Sequence, residues 1–558
     1  LQGDWSSDVC SSDLKNAMLR LSLSHPWWVI ALSVLITVGL GAQIPRVQID
    51  TDPENMLPAD EAVRIHHDEI KETFALYDYV VVGIVRDAPD GVFRPETLER
   101  ALLITEHARD LEGVIEDDII APSDVDDVYT TDDGILRVDT LLEEAPEDAD
   151  AAQRILVRIQ DNPVLRGKLA SDDGKALALF IPLESKEYAH EVGAELQAFI
   201  DELGGDEDYH LAGIPLAEDT FGTEMFVQMA IGGPAAFVLI FLLMLFFFRS
   251  PRLVMAPMLV AMMSVTWTMG LLIGLGFTVH IMSSMIPVFL IPIAVLDAIH
   301  LLSEFHERYP KSRDRQTALR EVMDELFVPM GYTTITTMVG FASLLLTPIP
   351  PVQVFGGFVS FGIGAAWLLS MTFLIAYSRL VPEKALTRFG SVEEQDFVGD
   401  RPLRWLRGLA LNRGRALVAI GLTFFVVSVV GLTRIEVNDN PVNWFRVDHP
   451  LRVADRVMNE HVAGTYLVYL ELDAGEEDAF KNPDLMRYVD RLQRHLEEDP
   501  NVGSTTSIGD ILKKVRRELQ GDPEAGIIPD SSDEIAQYLF LYEISGGDPE
   551  DLFRVITP

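Results

Sequence analysis

The 558-residue sequence predicts a polytopic α-helical membrane protein with α+β extracytoplasmic domains. Three observations carry that expectation. Hydrophobic residues make up 48% of the chain, yet its formal charge is −42, so apolar blocks in lipid must alternate with acidic blocks in water. Seven apolar stretches are long enough, with their flanks, to cross a hydrocarbon core, which takes roughly 20 helical residues. Lys and Arg gather in the segments that alternation of seven spans places on one side. The acidity also argues against nucleic acid as a partner, because phosphate is repelled.

Residues 1–14, LQGDWSSDVCSSDL, hold a near-repeat and neither a long apolar run nor a cleavage-site pattern. They resemble translated adapter sequence and are expected to be a non-native tail. The single cysteine, Cys10, lies there, so the chain can build neither an intrachain disulfide nor a cysteine-based metal cluster. Residues 15–44 are the cytoplasmic start and span one, and residues 45–224 the first extracytoplasmic domain. Residues 225–378 contain spans two to six, at 226–248, 253–277, 280–305, about 328–346 and 353–377. Residues 379–415 are a cytoplasmic linker, 416–433 span seven, and 434–558 a second, incomplete extracytoplasmic domain. Lys15 and Arg20, Arg249 and Arg252, Arg308, Lys311, Arg313, Arg315 and Arg320, and the basic linker from Arg379 to Arg415 all fall on one side, the cytoplasm. The opposite turns, FTVH and TPIPP, carry no Lys or Arg. Between spans four and five, the later part of ERYPKSRDRQTALREVMDELF reads as an amphipathic helix on the cytoplasmic surface.

In the first outer domain, YDYVVVGIVRD and GKALALFIPLE read as strands. PETLERALLITEHARDLEGV and SKEYAHEVGAELQAFIDEL read as helices, the second capped by Ser185. In the second domain GTYLVYLELDA reads as a strand and PDLMRYVDRLQRHLEE as a helix. The DTDPEN stretch does not open a twelve-residue calcium loop, which needs Gly at its sixth position and Glu at its last.

An internal repeat is visible. LSLSHPWWVIAL at Leu21 returns as LALNRGRALVAI at Leu409, and IPRVQIDTDPENML at Ile44 returns as LTRIEVNDNPVNWF at Leu432, both at an offset of 388. A tandem duplication of one span, an outer domain and five spans is the simplest source. It predicts twelve spans, of which seven are present.

Span four contains IPIAVLDAIHLLSEF, residues 291–305. An ionisable group in lipid costs about 2.5–3.5 kcal/mol on insertion scales, so Asp297 should face protein or a watered path. Desolvation disfavours the charged form, which lets such a group bind and release a proton in a working cycle. His300, three residues on, is expected to share its face and join a relay. Thr333, Thr334, Thr336 and Thr337 of span five wrap more than one face, and some could hydrogen-bond Asp297 or line a water wire. Gly340, Gly356, Gly357, Gly362 and Gly364 permit close helix approach, and Gly232-Gly233-Pro234 could loosen span two.

The stretches DTDPENMLP, VLDAIHLLSEFHERY and VPMGYTTITTMVGFASLLLTPIPPVQVFGGF resemble the resistance-nodulation-division (RND) superfamily, and within it the MMPL-type exporters. Spans two to six also resemble the sterol-sensing domain. The resemblance implies an RND-type repeat and proton-driven export of lipids or other hydrophobic or amphiphilic molecules from the bacterial inner membrane. It implies no enzymatic activity and no cofactor beyond the proton gradient. Asp297 would be the coupling acid, in an Asp-small-x-His form: the common Asp-Tyr form would begin at position 296, which is Leu296 here, and a frequent Gly is replaced by Ile293. A homo-oligomer and a periplasmic adaptor are compatible partners. The alternatives are a non-pumping lipid or sterol sensor and a SecDF-like protein-export helper. No Gly-rich phosphate loop or GxSxG elbow is present to suggest an ATPase or a hydrolase.

Overall fold

The computed structural model describes residues 4–131, 134–312, 314–382, 400–435 and 440–547, with 552, 555 and 556. Residues 383–399 of the expected linker lie outside the described residues. The chain forms two compact units, Leu1–Asp50 with Phe226–Asp439 and Thr51–Met225 with Asn440–Pro558.

Seven helices among the described residues are long and apolar enough to cross a membrane: Pro26–Arg46, Ile214–Phe248, Pro251–Gly274, Ile281–Ser312, Arg315–Leu346, Pro350–Leu380 and Arg404–Leu432; they belong to the first unit, except that residues 214–225 of the second of them belong to the other. Proline starts several of them, because its missing N–H costs nothing in a first turn. Asp314 caps another by accepting from the Thr317 N–H. Spans three, four and six are the most buried. They meet at Gly362, where an added Cβ would lie 2.5 Å from Leu290 Cδ1 and 2.6 Å from Thr268 Oγ1. Gly340 is different, since a Cβ there meets nothing within 4 Å. Helix Ile214–Phe248 runs unbroken through Gly232-Gly233-Pro234. The amphipathic surface helix expected before span five is instead the first turns of Arg315–Ala342. Its Ala318, Leu319, Val322 and Met323 are buried in the bundle core, so that apolar face meets protein rather than the membrane surface. At one end, β1 (Ile49–Asp50) pairs in parallel with Val279–His280, and Asp50 Oδ2 lies 3.1 Å from His280 Nδ1.

The second unit is built on an antiparallel sheet with β2 (Asp78–Val85) at its centre. It leaves the hairpin β3 (Asp126–Thr130) and β4 (Leu136–Thr140) outside that sheet. Strands β5 (Ala176–Leu183) and β6 (Asp208–Ala212) flank β2; Val279–His280 is therefore β7. Alternation along β2 gives two apolar faces. Val80, Val82 and Ile84 pack on helices Pro95–Arg109 and Ala189–Leu203. Val81 and Val85 pack on Ala454 and Met458 of helix Pro450–His461, which needs Gly83, whose Cβ would sit 2.0 Å from Met458 Sδ. The β3–β4 hairpin packs on helices Pro483–Leu496, Ile508–Gln520 and Ser532–Ile544.

Four of the expected outer elements form where the patterns place them: both strands of the first domain and helices Pro95–Arg109 and Pro483–Leu496. In the second expected helix, Ser185 caps a 3-10 turn that precedes Ala189–Leu203. GTYLVYLELDA does not form a strand: residues 465–474 pair with no strand among those described, and Val468 is 92% exposed. Alternation supplies a two-faced strand, but a sheet also needs neighbours to hydrogen-bond.

Several local features recur 388 residues apart. The break at His25 (φ −128°, ψ 53°) matches one at Arg413 (φ −128°, ψ 29°). The 3-10 turn Pro53–Met56, capped by Asp52, matches Pro441–Trp444, capped by Asn440. Helix Ala62–Thr73 matches Pro450–His461, and Pro95 and Pro483 each open a helix.

Candidate functional site

Helix 286–312 carries an inward stripe of Leu290, Ala294, Ala298, Leu301 and Phe305, at the i, i+4, i+8 spacing that builds a bundle face. Asp297 lies on that stripe and is 9% exposed. Its chain neighbours Leu296 and Ala298 are apolar or small. Among the described residues its carboxylate has no hydrogen-bond or ion-pair partner.

Two contacts set the register against antiparallel helix Arg315–Ala342. The Phe289 and Phe341 rings lie 6.5 Å apart, and Arg308 Nη1 lies 3.7 Å from Glu321 Oε2. Interpolating between them puts Asp297 level with about residue 333, within about one residue's 1.5 Å rise of Thr334. Thr334 is buried, and its Oγ1 has no partner. The other three threonines satisfy themselves within their own helix: Thr333 Oγ1 donates to Pro329 O (3.1 Å), and Thr336 and Thr337 donate to Thr333 O (2.9 and 2.8 Å).

His300 is not brought to the acid. It is exposed while Asp297 is buried, and no hydrogen bond or ion pair joins them among the described residues. The i, i+3 step turns about 60° around the helix, enough to carry His300 off a narrow stripe. Of the expected constellation, the structure places Asp297 and Thr334 inward at one depth and leaves His300, Thr333 and Thr336 on exposed positions, with Thr337 partly buried.

Sequence reasoning missed a charged knot in the second unit. Lys186 Nζ lies 2.7 Å from Glu54 Oε1, 3.2 Å from Glu218 Oε2 and 3.7 Å from Asp52 Oδ1. Lys71 adds contacts to Asp78 (2.9 Å) and Glu54 (3.7 Å). Thr51 Oγ1 donates to Asp219 Oδ1 (2.9 Å), and the His190 N–H donates to Asp219 Oδ2 (2.9 Å). The DTDPEN segment is thereby tied to the first turns of helix Ile214–Phe248. The sequence carries only part of the signal: the acids of DTDPEN call for a cation but do not say which one. The same unit has a mainly apolar groove of about 480 Å³, lined by His190, Gln197, Tyr209, His210, Leu216 and Leu451 among others. Burial pushes the His210 imidazole below its usual pKa, which favours the neutral ring. No group of three or more His, Cys, Asp or Glu among the described residues could hold a metal ion.

Comparison with known proteins agrees with this membrane architecture. A protein of Methanocaldococcus jannaschii named as a membrane protein is 21% identical over 375 residues, 65% of this chain and 93% of its own length. The family model for the MMPL family, a group of RND-like membrane transporters that handle hydrophobic molecules, matches residues 123–409, about half the chain. With its multiple spans and large non-membrane domains, this chain belongs to the MMPL family.

Proposed function

We propose that the chain is part of a proton-driven exporter that moves lipids or other hydrophobic or amphiphilic molecules across or out of a bacterial inner membrane, with its large domains on the outer side. The observation that carries this reading is Asp297: a carboxylate on the packed face of a membrane helix, with no counter-charge beside it among the described residues. Such a group is costly to keep ionised and costs less when it holds a proton, so it can alternate between two occupancies as the bundle opens and closes. The apolar groove of the second unit supports a hydrophobic cargo. The features that recur at 388 residues support a tandem unit, and on that reading a whole molecule carries twelve spans and a second acidic site.

Vesicles bearing the whole transporter test the proposal. An imposed proton gradient should drive efflux of a fluorescent amphiphile, and Asp297→Asn should abolish that dependence while leaving the folded yield intact. Unchanged gradient-driven efflux in the variant refutes the role of Asp297. Amphiphile binding with no gradient dependence in either protein favours a lipid sensor, and crosslinking to secreted chains favours an export helper.

A further inference from the structure

A proton-exchanging carboxylate is useful only if hydrogen-bonding groups connect it to one aqueous side at a time. Most hydroxyls buried in this bundle contribute nothing to such a connection, because backbone carbonyls absorb them. Ser264 Oγ donates to Gly362 O (2.8 Å), Thr268 Oγ1 to Ser264 O (2.8 Å) and Ser360 Oγ to Met338 O (3.0 Å). A short series behaves differently. Thr334 (5% exposed), Ser370 (0%) and Ser22 (0%) have hydroxyls without a protein partner, and so has the Trp367 indole Nε1. Leaving a buried polar group unmatched costs about 1–3 kcal/mol, so one such group is unusual and four call for a common cause.

The four are ordered in depth. Thr334 is level with Asp297. The Trp367 ring packs on Phe327 (5.5 Å between ring centroids), and its Cζ2 lies 4.0 Å from where a Gly331 Cβ would be, about one turn below Thr334. Ser370 is three residues further along the same helix, on the Trp367 side. Ser22 belongs to helix Asp4–Ser24, whose Met18, Leu19 and Leu23 share a core with Met371, Phe373 and Leu374. The series ends where Arg379 Nε donates to Leu23 O (3.0 Å), on the side the basic residues assign to the cytoplasm. One other buried hydroxyl among the described residues of this unit lacks a partner, Ser283, and it sits toward the opposite end. Ser370 also opens a π-turn, Ser370–Leu374, within span six. Such turns are rare, widen the helix by one residue and occur often at functional sites.

Resting on the reading of Asp297 as a proton-exchange site, we propose that a water-holding conduit lined by Thr334, Trp367, Ser370 and Ser22 joins Asp297 to the cytoplasmic face. Ser and Thr hydroxyls both donate and accept, so with water they pass a proton along. Trp367 donates only, so it anchors a water without relaying.

Cysteine accessibility tests the conduit without requiring transport. In a Cys10→Ser background, Thr334→Cys, Ser370→Cys and Ser22→Cys are compared with Ala366→Cys, a fully buried apolar position on the same helix, and with the exposed Lys311→Cys. A membrane-impermeant cationic thiosulfonate is added to inverted vesicles. The three conduit positions should be modified at least ten times faster than position 366. Rates equal to that of position 366, with Lys311→Cys fully modified, overturn the conduit, as does modification from the opposite face alone. Hydroxyl-radical footprinting of the unsubstituted chain gives a second reading: Trp367 should be oxidised although it is packed in the bundle, and an unoxidised Trp367 counts against the proposal. A chain that labels but shows no Asp297-dependent transport sinks the exporter reading, whereas one that transports without labelling sinks only the conduit.

Discussion

Replacing Lys186 by Met removes the charge at the centre of the outer knot while keeping most of the stem's apolar volume. Three carboxylates are then left without their shared cation: Glu54 at 2.7 Å, Glu218 at 3.2 Å and Asp52 at 3.7 Å. The Lys186 side chain is only 12% exposed, so water cannot fully replace it. Breaking a buried pair by removing one partner costs about 3–5 kcal/mol. Lys71 remains 3.7 Å from Glu54, whose side chain is one-third exposed, so the lower end, about 3 kcal/mol, is expected. For a folded unit of more than 250 residues that lowers the melting temperature by roughly 5 °C. The assay is limited proteolysis of the purified chain during a thermal ramp, with cleavage sites mapped to the second unit.

The pH dependence separates electrostatics from packing. Burial alone would raise the Glu54 carboxyl, but the hydrogen bond and charge of Lys186, with Lys71 and His67, hold it below its ordinary value. A depressed carboxylate contributes fully above its unfolded pKa and loses that contribution as pH falls through its folded one. Burial would lower Lys186, yet Glu218, Glu54 and Asp78 push it up. Its contribution is complete below its unfolded pKa and fades only in strongly alkaline solution. Lys186 keeps its charge between pH 8 and pH 4 while the carboxylates take up protons, Glu218 first because burial pushes it up to about 7, so the gap between wild type and Lys186→Met should narrow as pH falls. A gap that stays constant over that range, or a variant melting within about 1 °C of wild type at neutral pH (roughly half a kcal/mol), refutes the argument.

Two further substitutions test packing. Met458 is fully buried against Gly83, so Met458→Ala should cost about 2–5 kcal/mol and expose the second unit to protease at lower temperature. Gly362→Val should push spans three, four and six apart, because its Cβ would lie 2.5 Å from Leu290. Overpacking of this kind costs about 1–3 kcal/mol and should reduce the monodisperse fraction on size exclusion, whereas Gly340→Ala, with nothing within 4 Å, should leave it unchanged.

That contrast between two glycines shows what was legible and why. Spans were readable because length and hydropathy are local properties, and lipid demands both. Strands β2 and β5 and helices Pro95–Arg109 and Pro483–Leu496 were readable because one period runs through each. Gly362 and Gly340 look alike in sequence, yet only the neighbouring helix decides which one is a contact. The same limit governs the acid. That Asp297 sits within a span could be read from a single segment; that His300 turns away and Thr334 turns inward depends on the width of the buried stripe and on the register of a second helix. Lys186 and Ser370 lie furthest from local reading. The first acquires meaning from carboxylates 132 and more residues before it in the chain. The second matters through a π-turn, a geometry that leaves no composition signal of its own. The side chains of the proposed conduit are thus the least visible in sequence, because each is an ordinary Ser, Thr or Trp until the fold removes its partners.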